Sequence, residues 1–434
     1  MAARFDPSGP LRGSLRPPAD KSISHRAALI AAMGEGETAV ESYLDAADTR
    51  STLGAVQALG AEIDGVGPDS IAPAIRIRGI GLRGAEPASI DVGNAGTLLR
   101  LLPGWLAGQA SGEWSLDGDE SIRRRPVDRV ADPLRQMGAD LRCREGRFTP
   151  LRVHGASLHG IDYEMPVASA QVKSCLLFAG LLADGETRVS SPLPSRDHSE
   201  RMLAAAGAEI REDGDAVVVR ATERLEPGTI AVPADFSSAA FFLLAGLLVP
   251  GSDIVLEGVG LNPTRTGLLG ILERMGAEFE VEPEGGKGGE PVGRIRVRPC
   301  ELQGTEVGGA EIPLAIDELP LVALAACFAE GTTTIRDATE LRRKESDRIE
   351  TVAAALTALG AKVEAVADGM IVEGAGGLRG GSVDSHGDHR IAMLGAVAGL
   401  ASGEGVAVEN MGAAAVSYPG FESDLASLLG ARGG

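Results

Sequence analysis

The apolar positions of this chain gather into six runs with almost no polar face: Ala27–Met33, Leu98–Ala107, Val172–Ala183, Ala239–Val249, Leu319–Ala329 and Ile391–Leu400. A helix that is apolar all round belongs inside a core, so each run predicts a buried helix. Between them lie segments with apolar residues on one face only, Arg123–Met137, Ser199–Ala206 and Ile349–Leu359, and these predict outer helices. Short β-branched stretches such as Ile75–Ile77, Ala216–Val219 and Arg294–Val297 predict strands.

The runs repeat. An apolar-Gly-Ala-polar pattern occurs at Gly60, Gly138, Gly207, Gly276, Gly360 and Gly430, every 69 to 84 residues. A second glycine, ending one apolar helix and opening a strand, precedes each of these at Gly36, Gly112, Gly185, Gly251, Gly331 and Gly403. Glycine after a periodic apolar run is the expected left-handed helix stop, so each unit holds two helices and several strands. Six units divide as three plus three, with the break near Pro233–Asp235. The reading is α/β, with two similar domains: 20–234, and 1–19 plus 235–434.

What distinguishes the buried helices is how they begin. The six heads are Lys21-Ser22, Asn94-Ala95-Gly96-Thr97, Ser169-Ala170-Gln171, Asp235-Phe236-Ser237-Ser238, Asp317-Glu318 and Asp388-His389-Arg390. Asp235, Ser237 and Ser238 read as ordinary N-caps. Lys21, Gln171 and Arg390 do not, because a cap needs no long side chain, and a helix N-terminus already favours anions. A second set of charges opens the outer helices: Arg123-Arg124-Arg125-Pro126, Ser195-Arg196-Asp197-His198 and Arg342-Arg343-Lys344-Glu345-Ser346-Asp347-Arg348. Arg123, Arg124, Arg342 and Arg343 read as a solvated face. Lys344, Glu345 and Arg348 are expected to share one helical face, setting an acid/base pair beside a cation.

Charge sharpens this picture. The 434 residues carry 61 Asp plus Glu against 41 Lys plus Arg, a formal net charge of −20. Such a balance opposes nucleic acid and anionic membranes, whose binding rests on neutralising many phosphates, but not a small anion held by a few placed cations. Cys143, Cys175, Cys300 and Cys327 are far apart and suggest neither a disulfide framework nor a zinc site. His386 and His389 lack a third ligand, no Gly-x-x-x-x-Gly-Lys loop is present, and no secretory or membrane-spanning segment is legible. A cytoplasmic protein without a metal site is expected.

Taken in order, Asp20-Lys21-Ser22-Ile23-Ser24-His25-Arg26, Gly93-Asn94-Ala95-Gly96-Thr97, Arg125-Pro126, Ser169-Ala170-Gln171, Arg196-Asp197-His198, Asn262-Pro263-Thr264-Arg265, Lys344-Glu345-Ser346-Asp347-Arg348 and Asp388-His389-Arg390 closely resemble the 5-enolpyruvylshikimate-3-phosphate synthase family. The resemblance implies two domains, each of three βαβαββ-like units in an inside-out α/β barrel arrangement, with the active site in the interdomain cleft and closure on substrate. It also implies transfer of the enolpyruvyl group of phosphoenolpyruvate to the 5-hydroxyl of shikimate 3-phosphate, with release of phosphate, by a monomer that needs no metal or organic cofactor.

By the same resemblance, Lys21, Asp317 and Glu345 are catalytic. Shikimate 3-phosphate falls to Lys21, Ser22, Arg26, Ser169, Ala170, Gln171, Ser195, Arg196, Asp317 and Lys344. Phosphoenolpyruvate falls to Lys21, Asn94, Gly96, Thr97, Arg125, Gln171, Glu345, Arg348, His389 and Arg390. Asp317 would accept the hydroxyl proton, while Glu345 and Lys21 would handle protons at the enolpyruvyl group. Three positions depart from the family pattern: Ala170 replaces a second phosphate-binding Ser, Glu340 stands where Asn is common, and Val416 where many members carry Lys. Two rival readings are weaker. The transferase acting on UDP-N-acetylglucosamine normally has Lys-Asn near its start and a reactive Cys in its first domain, whereas here Ser22 follows Lys21 and no Cys precedes Arg142. A non-catalytic anion-binding scaffold leaves Asp317 and Glu345 without a purpose.

Overall fold

A computed structural model describes residues 2–67 and 71–430 of the chain. It divides into two compact units, the first formed by Ala19–Pro233 with Gly286–Glu290, the second by Met1–Pro18, Ala234–Gly285 and Pro291–Gly434. Met1 and residues 431–434 lie outside the described residues. Each unit has its own hydrophobic core.

The repeat is clearest between residues 89 and 154. Strand Ser89–Asp91 leads through helix Gly96–Ala107 into strand Glu113–Asp117, which pairs with it in parallel, Ile90 opposite Leu116. Parallel neighbours need such a crossover. Two outer helices, Glu120–Arg124 and Asp128–Gln136, then lead to strands Asp140–Arg144 and Phe148–His154, which close the sheet antiparallel, Trp114 and Leu141 both opposite Val153. Five four-stranded sheets and one three-stranded sheet are built this way. All remain open, and no closed barrel forms among the described residues.

Among the described residues, three sheets borrow strands from afar. Strand Glu35–Glu41 receives its parallel neighbour from Thr229–Ala231, Val40 opposite Ile230. In the second unit the N-terminal segment serves two sheets. Arg12–Leu15 lies parallel to Asp253–Gly260, Gly13 opposite Ile254, while Ala3–Phe5 lies antiparallel to Val406–Glu409, Arg4 opposite Ala407.

The six apolar runs are the buried helices Lys21–Met33, Gly96–Ala107, Ala170–Gly180, Phe236–Leu248, Leu319–Phe328 and His389–Ala401. Where two of them meet, backbone approaches backbone: a Cβ on Gly104 would lie 2.0 Å from the Cys175 carbonyl oxygen, so only glycine fits. None of the helices of the described residues is long and apolar enough to cross a membrane.

Three expectations need correction. Arg123–Met137 is two helices, because Arg125 is extended (φ −84°, ψ 129°), as the residue before a proline prefers. The sixth strand-opening glycine with a left-handed backbone is Gly405 (φ 78°), not Gly403. Lys344 and Glu345 do not share a helix with Arg348: Lys344 is extended, and Asp347 caps the helix Arg348–Ala358 by accepting the Ile349 and Glu350 N–H groups.

Candidate functional site

In the first unit, Asp20 caps its helix by accepting the Ile23 N–H at 2.8 Å, which places Lys21 in the first turn. Lys21 Nζ donates to Asp48 Oδ2 at 3.1 Å, so the ammonium is held at the helix head. One turn further, His25 is buried and its Nδ1 meets Thr52 Oγ1 at 2.6 Å. Burial pushes its pKa down to about 3; Lys21 and Arg26 act in the same direction against Asp48, and the imidazole is neutral.

Arg26 is stitched into the protein. Its Nε donates to Ser199 Oγ (2.7 Å), Nη2 to Ser174 Oγ (3.0 Å) and Nη1 to the Ser22 carbonyl (3.0 Å). Ser199 in turn donates to Ser174, and Ser174 to the Ala170 carbonyl, so every proton in the chain is directed. Burial lowers the Arg26 pKa to about 10, which still leaves it charged at neutral pH. The group therefore ties the heads of the Lys21 and Ala170 helices together and joins them to the helix His198–Ala205.

The Gly96 and Ala170 heads are joined by Gln171, whose Nε2 donates to Thr97 Oγ1 (3.1 Å) while its Oε1 accepts from Arg100 Nη1 (2.9 Å). Arg125 Nη2 donates to Asn94 Oδ1 and Ser121 Oγ, and Asn94 donates to Asp119. Gly96 lies directly against this cation, since a Cβ there would stand 3.1 Å from Arg125 Nη1. Ser169 caps its helix through Val172. The carbonyl of Ser195 accepts from Lys173 Nζ, which also pairs with Glu200 at 2.5 Å in a nearly dry setting. The Ser195 hydroxyl is buried and finds no hydrogen-bond partner among the described residues. Arg196 is near enough to Arg26 for their like charges to interact.

The second unit concentrates charge. Arg348, 1% exposed, donates from Nε to Asp388 Oδ2 (2.8 Å), from Nη2 to Asp388 Oδ1 (3.2 Å) and Glu345 Oε2 (2.5 Å), and from Nη1 to Asp317 Oδ1 (3.4 Å). Burial opposes its charge, but the Asp388, Glu345 and Asp317 carboxylates outweigh that and hold its pKa above the usual guanidinium range. Asp388 likewise resists burial through Arg348 and stays ionised, its pKa lowered. Lys344 Nζ reaches the same Asp317 oxygen at 3.2 Å. Arg390 Nη1 donates to the Asp317 carbonyl at 3.1 Å, and buried His389 stands 3.9 Å from Asp388. Arg123, Arg124 and Arg343 are exposed, as a solvated face requires, but Arg342 is not part of it: partly buried, it donates to Asp347 (2.8 Å), Glu350 (3.1 Å) and the Val366 and Ala367 carbonyls (2.7 and 2.9 Å).

The expected residues thus form two groups, one per unit. Lys21, Ser22, Arg26, Asn94, Gly96, Thr97, Arg125, Ser169, Ala170, Gln171, Ser195 and Arg196 belong to the first, and Asp317, Lys344, Glu345, Arg348, His389 and Arg390 to the second. Asp48, Arg100 and Asp119, which hold members of the first group, were not anticipated. Asp48 and Asp119 carry only the weak signal of an acid at a helix start.

A sequence model of the EPSP synthase (3-phosphoshikimate 1-carboxyvinyltransferase) family matches residues 5–425. The chain belongs to the EPSP synthase family. A relative from Gloeobacter violaceus named 3-phosphoshikimate 1-carboxyvinyltransferase is 51% identical over 431 residues, 99% of each chain. One of the same name from Synechococcus sp. (strain JA-3-3Ab) is 50% identical over 98% of this chain and 96% of its own. The solved EPSP synthase of Acinetobacter baumannii superposes with TM-score 0.88 at 39% identity, covering 98% of both chains. The enolpyruvyl transferase NikO from Streptomyces tendae shares the fold, with TM-score 0.76 at 18% identity, 98% of this chain and 96% of its own. Within the EPSP synthase pattern, departing residue Glu340 lies 3.9 Å from Arg343, and Val416 ends a short 3-10 turn, Met411–Val416.

Proposed function

We propose that this chain transfers the enolpyruvyl group of phosphoenolpyruvate to the 5-hydroxyl of shikimate 3-phosphate and releases phosphate. The observation that carries the reading is the family match across residues 5–425, with Lys21, Asp317 and Glu345 all in place.

The reaction is an addition followed by an elimination. The methylene carbon of phosphoenolpyruvate takes a proton, the 5-hydroxyl oxygen bonds to the neighbouring carbon as its own proton leaves, and the tetrahedral intermediate then loses phosphate and a methyl proton. Two polyanions must be brought together, so cations are needed beside the proton-transfer groups. In this assignment Asp317 accepts the hydroxyl proton, and Glu345 with Lys21 moves protons at the methylene carbon. Lys21, Arg125, Arg348 and Arg390 hold phosphoenolpyruvate. Ser22, Arg26, Ser169, Gln171, Ser195 and Lys344 hold shikimate 3-phosphate, a role that suits the unsatisfied Ser195 hydroxyl.

Glu345 and Asp317 lie on Arg348 and Lys344, so the buried Arg348 carries no uncompensated charge. An arriving phosphate or carboxylate competes with Glu345 for Arg348.

The deciding experiment mixes the protein with phosphoenolpyruvate and either shikimate 3-phosphate or UDP-N-acetylglucosamine and follows phosphate release. Release with the shikimate ester alone is expected; no release with it sinks the reading.

A further inference from the structure

The head of the Leu319 helix holds a carboxylate that the roles above do not use. Glu318 is 0% exposed and occupies the N-cap position, yet its side chain accepts no N–H from its own helix. It turns instead to Arg265 and Ser237. Glu318 Oε1 and Oε2 accept from Arg265 Nη1 at 3.1 and 2.9 Å, and Oε1 also accepts the Ser237 hydroxyl proton in a very short hydrogen bond. Arg265, itself buried, comes from the Asn262-Pro263-Thr264 turn, where Asn262 Oδ1 accepts the Thr264 N–H and hydroxyl at 2.9 and 2.7 Å. Ser237 Oγ then accepts from Arg390 Nη1, the same nitrogen that donates to the Asp317 carbonyl.

We propose that Glu318, Arg265 and Ser237 are positioning residues that aim Arg390 at phosphoenolpyruvate and fix the Asp317 peptide beside it. The inference rests on the function proposed above. A serine hydroxyl has one proton to give. Glu318 takes it, which turns the Ser237 lone pairs toward Arg390 and gives that guanidinium one defined direction. Arg265 pairs with Glu318 and fixes the carboxylate in turn. A buried ion pair is a poor way to gain stability, because apolar side chains of similar volume do as well. Its use here is geometric: one nitrogen of Arg390 is held between the Ser237 hydroxyl and the Asp317 carbonyl, so the clamp and the base are set by a single cluster. A capping role alone explains Asp235, which accepts the Ser237 N–H at 2.7 Å. It does not explain the Ser237 hydroxyl.

Steady-state kinetics on the full chain test this, with Ser237→Ala as the mild variant and Glu318→Gln as the stronger one. Ser237→Ala is expected to raise the KM for phosphoenolpyruvate about tenfold, leave the KM for shikimate 3-phosphate within about twofold, and leave the melting temperature near wild type, the signature of lost clamp alignment. Glu318 Oε1 also stands 3.6 Å from Arg390 Nη1, so the Ser237→Ala/Glu318→Gln double variant is expected to raise the phosphoenolpyruvate KM by less than the product of the two single effects. A Ser237→Ala enzyme whose phosphoenolpyruvate KM stays within twofold of wild type overturns the proposal, as does one that loses kcat and melting temperature with both KM values unchanged. Absence of phosphate release by the wild type is a different result and sinks the function itself.

Discussion

Removing the charge of Glu345 should separate catalysis from binding in opposite directions. Glu345 accepts from Arg348 Nη2 at 2.5 Å. In the proposed site phosphoenolpyruvate competes with Glu345 for that guanidinium. A charge-assisted hydrogen bond contributes about 1.5 to 3 kcal/mol. The Glu345 side chain is 30% exposed, so solvent screening places this one at the low end, and about 1.4 kcal/mol is tenfold in a binding constant. Glu345→Gln keeps the shape, weakens the competitor for Arg348 and removes the proton donor. The KM for phosphoenolpyruvate should therefore fall by up to about tenfold, while kcat falls by about 10² to 10⁴, the usual worth of a placed general acid or base. Phosphate release at saturating shikimate 3-phosphate gives both constants, and calorimetric titration of shikimate 3-phosphate checks that the fold and the other substrate's affinity are intact. Equal worsening of kcat and KM would show that Glu345 only helps to bind, and the reasoning would be wrong.

Stability should fall in acid through His25. Its folded pKa lies near 3 against an ordinary 6.5, so between those values the unfolded chain binds one more proton and the folded state loses ground as pH drops. At pH 4.5 the loss is on the order of 3 kcal/mol; His25→Asn should reduce the melting-temperature difference between pH 7 and 4.5, and an unchanged difference would refute the assignment. Gly96→Ala should gain about 0.4 to 1 kcal/mol from a less flexible unfolded chain yet raise the phosphoenolpyruvate KM several-fold, because the methyl stands 3.1 Å from Arg125 Nη1; an unaltered KM argues against Arg125 as a clamp. Lys173→Met should cost about 3 to 5 kcal/mol by leaving Glu200 buried and unpaired. Adding Glu200→Gln should restore much of that in thermal melts, and no recovery would mean that the pair is not the source of the loss.

The buried helices and their heads were legible because each signal is local: an all-apolar run, a glycine stop, and a capping residue followed by a long polar side chain that a cap does not need. Lys21, Gln171 and Arg390 stood out on that basis, and all three engage polar partners from other segments. The failures are non-local. Ser237 looked like a cap because its neighbours are caps, and only the fold brings Arg390, 153 residues on, to its hydroxyl. Lys344 and Glu345 were placed on a helix by spacing, whereas Asp347 caps that helix after them and Asp317 draws Lys344 to Arg348. Strand Thr229–Ala231 carries no mark of its partner near residue 40, since pairing is written in neither strand alone.

The borrowed strands also set a timetable for synthesis. Ala3–Phe5 and Arg12–Leu15 are made well before their partners, Val406–Glu409 and Asp253–Gly260. At about 5 to 20 residues per second, the first strand waits about 20 to 80 s for its neighbour. Throughout that interval it is an unpaired edge on a nascent chain, open to pairing with anything else that offers one. The first unit, by contrast, is almost complete once Pro233 has emerged, so the ribosome releases one folded half while the other still lacks the end of its own chain.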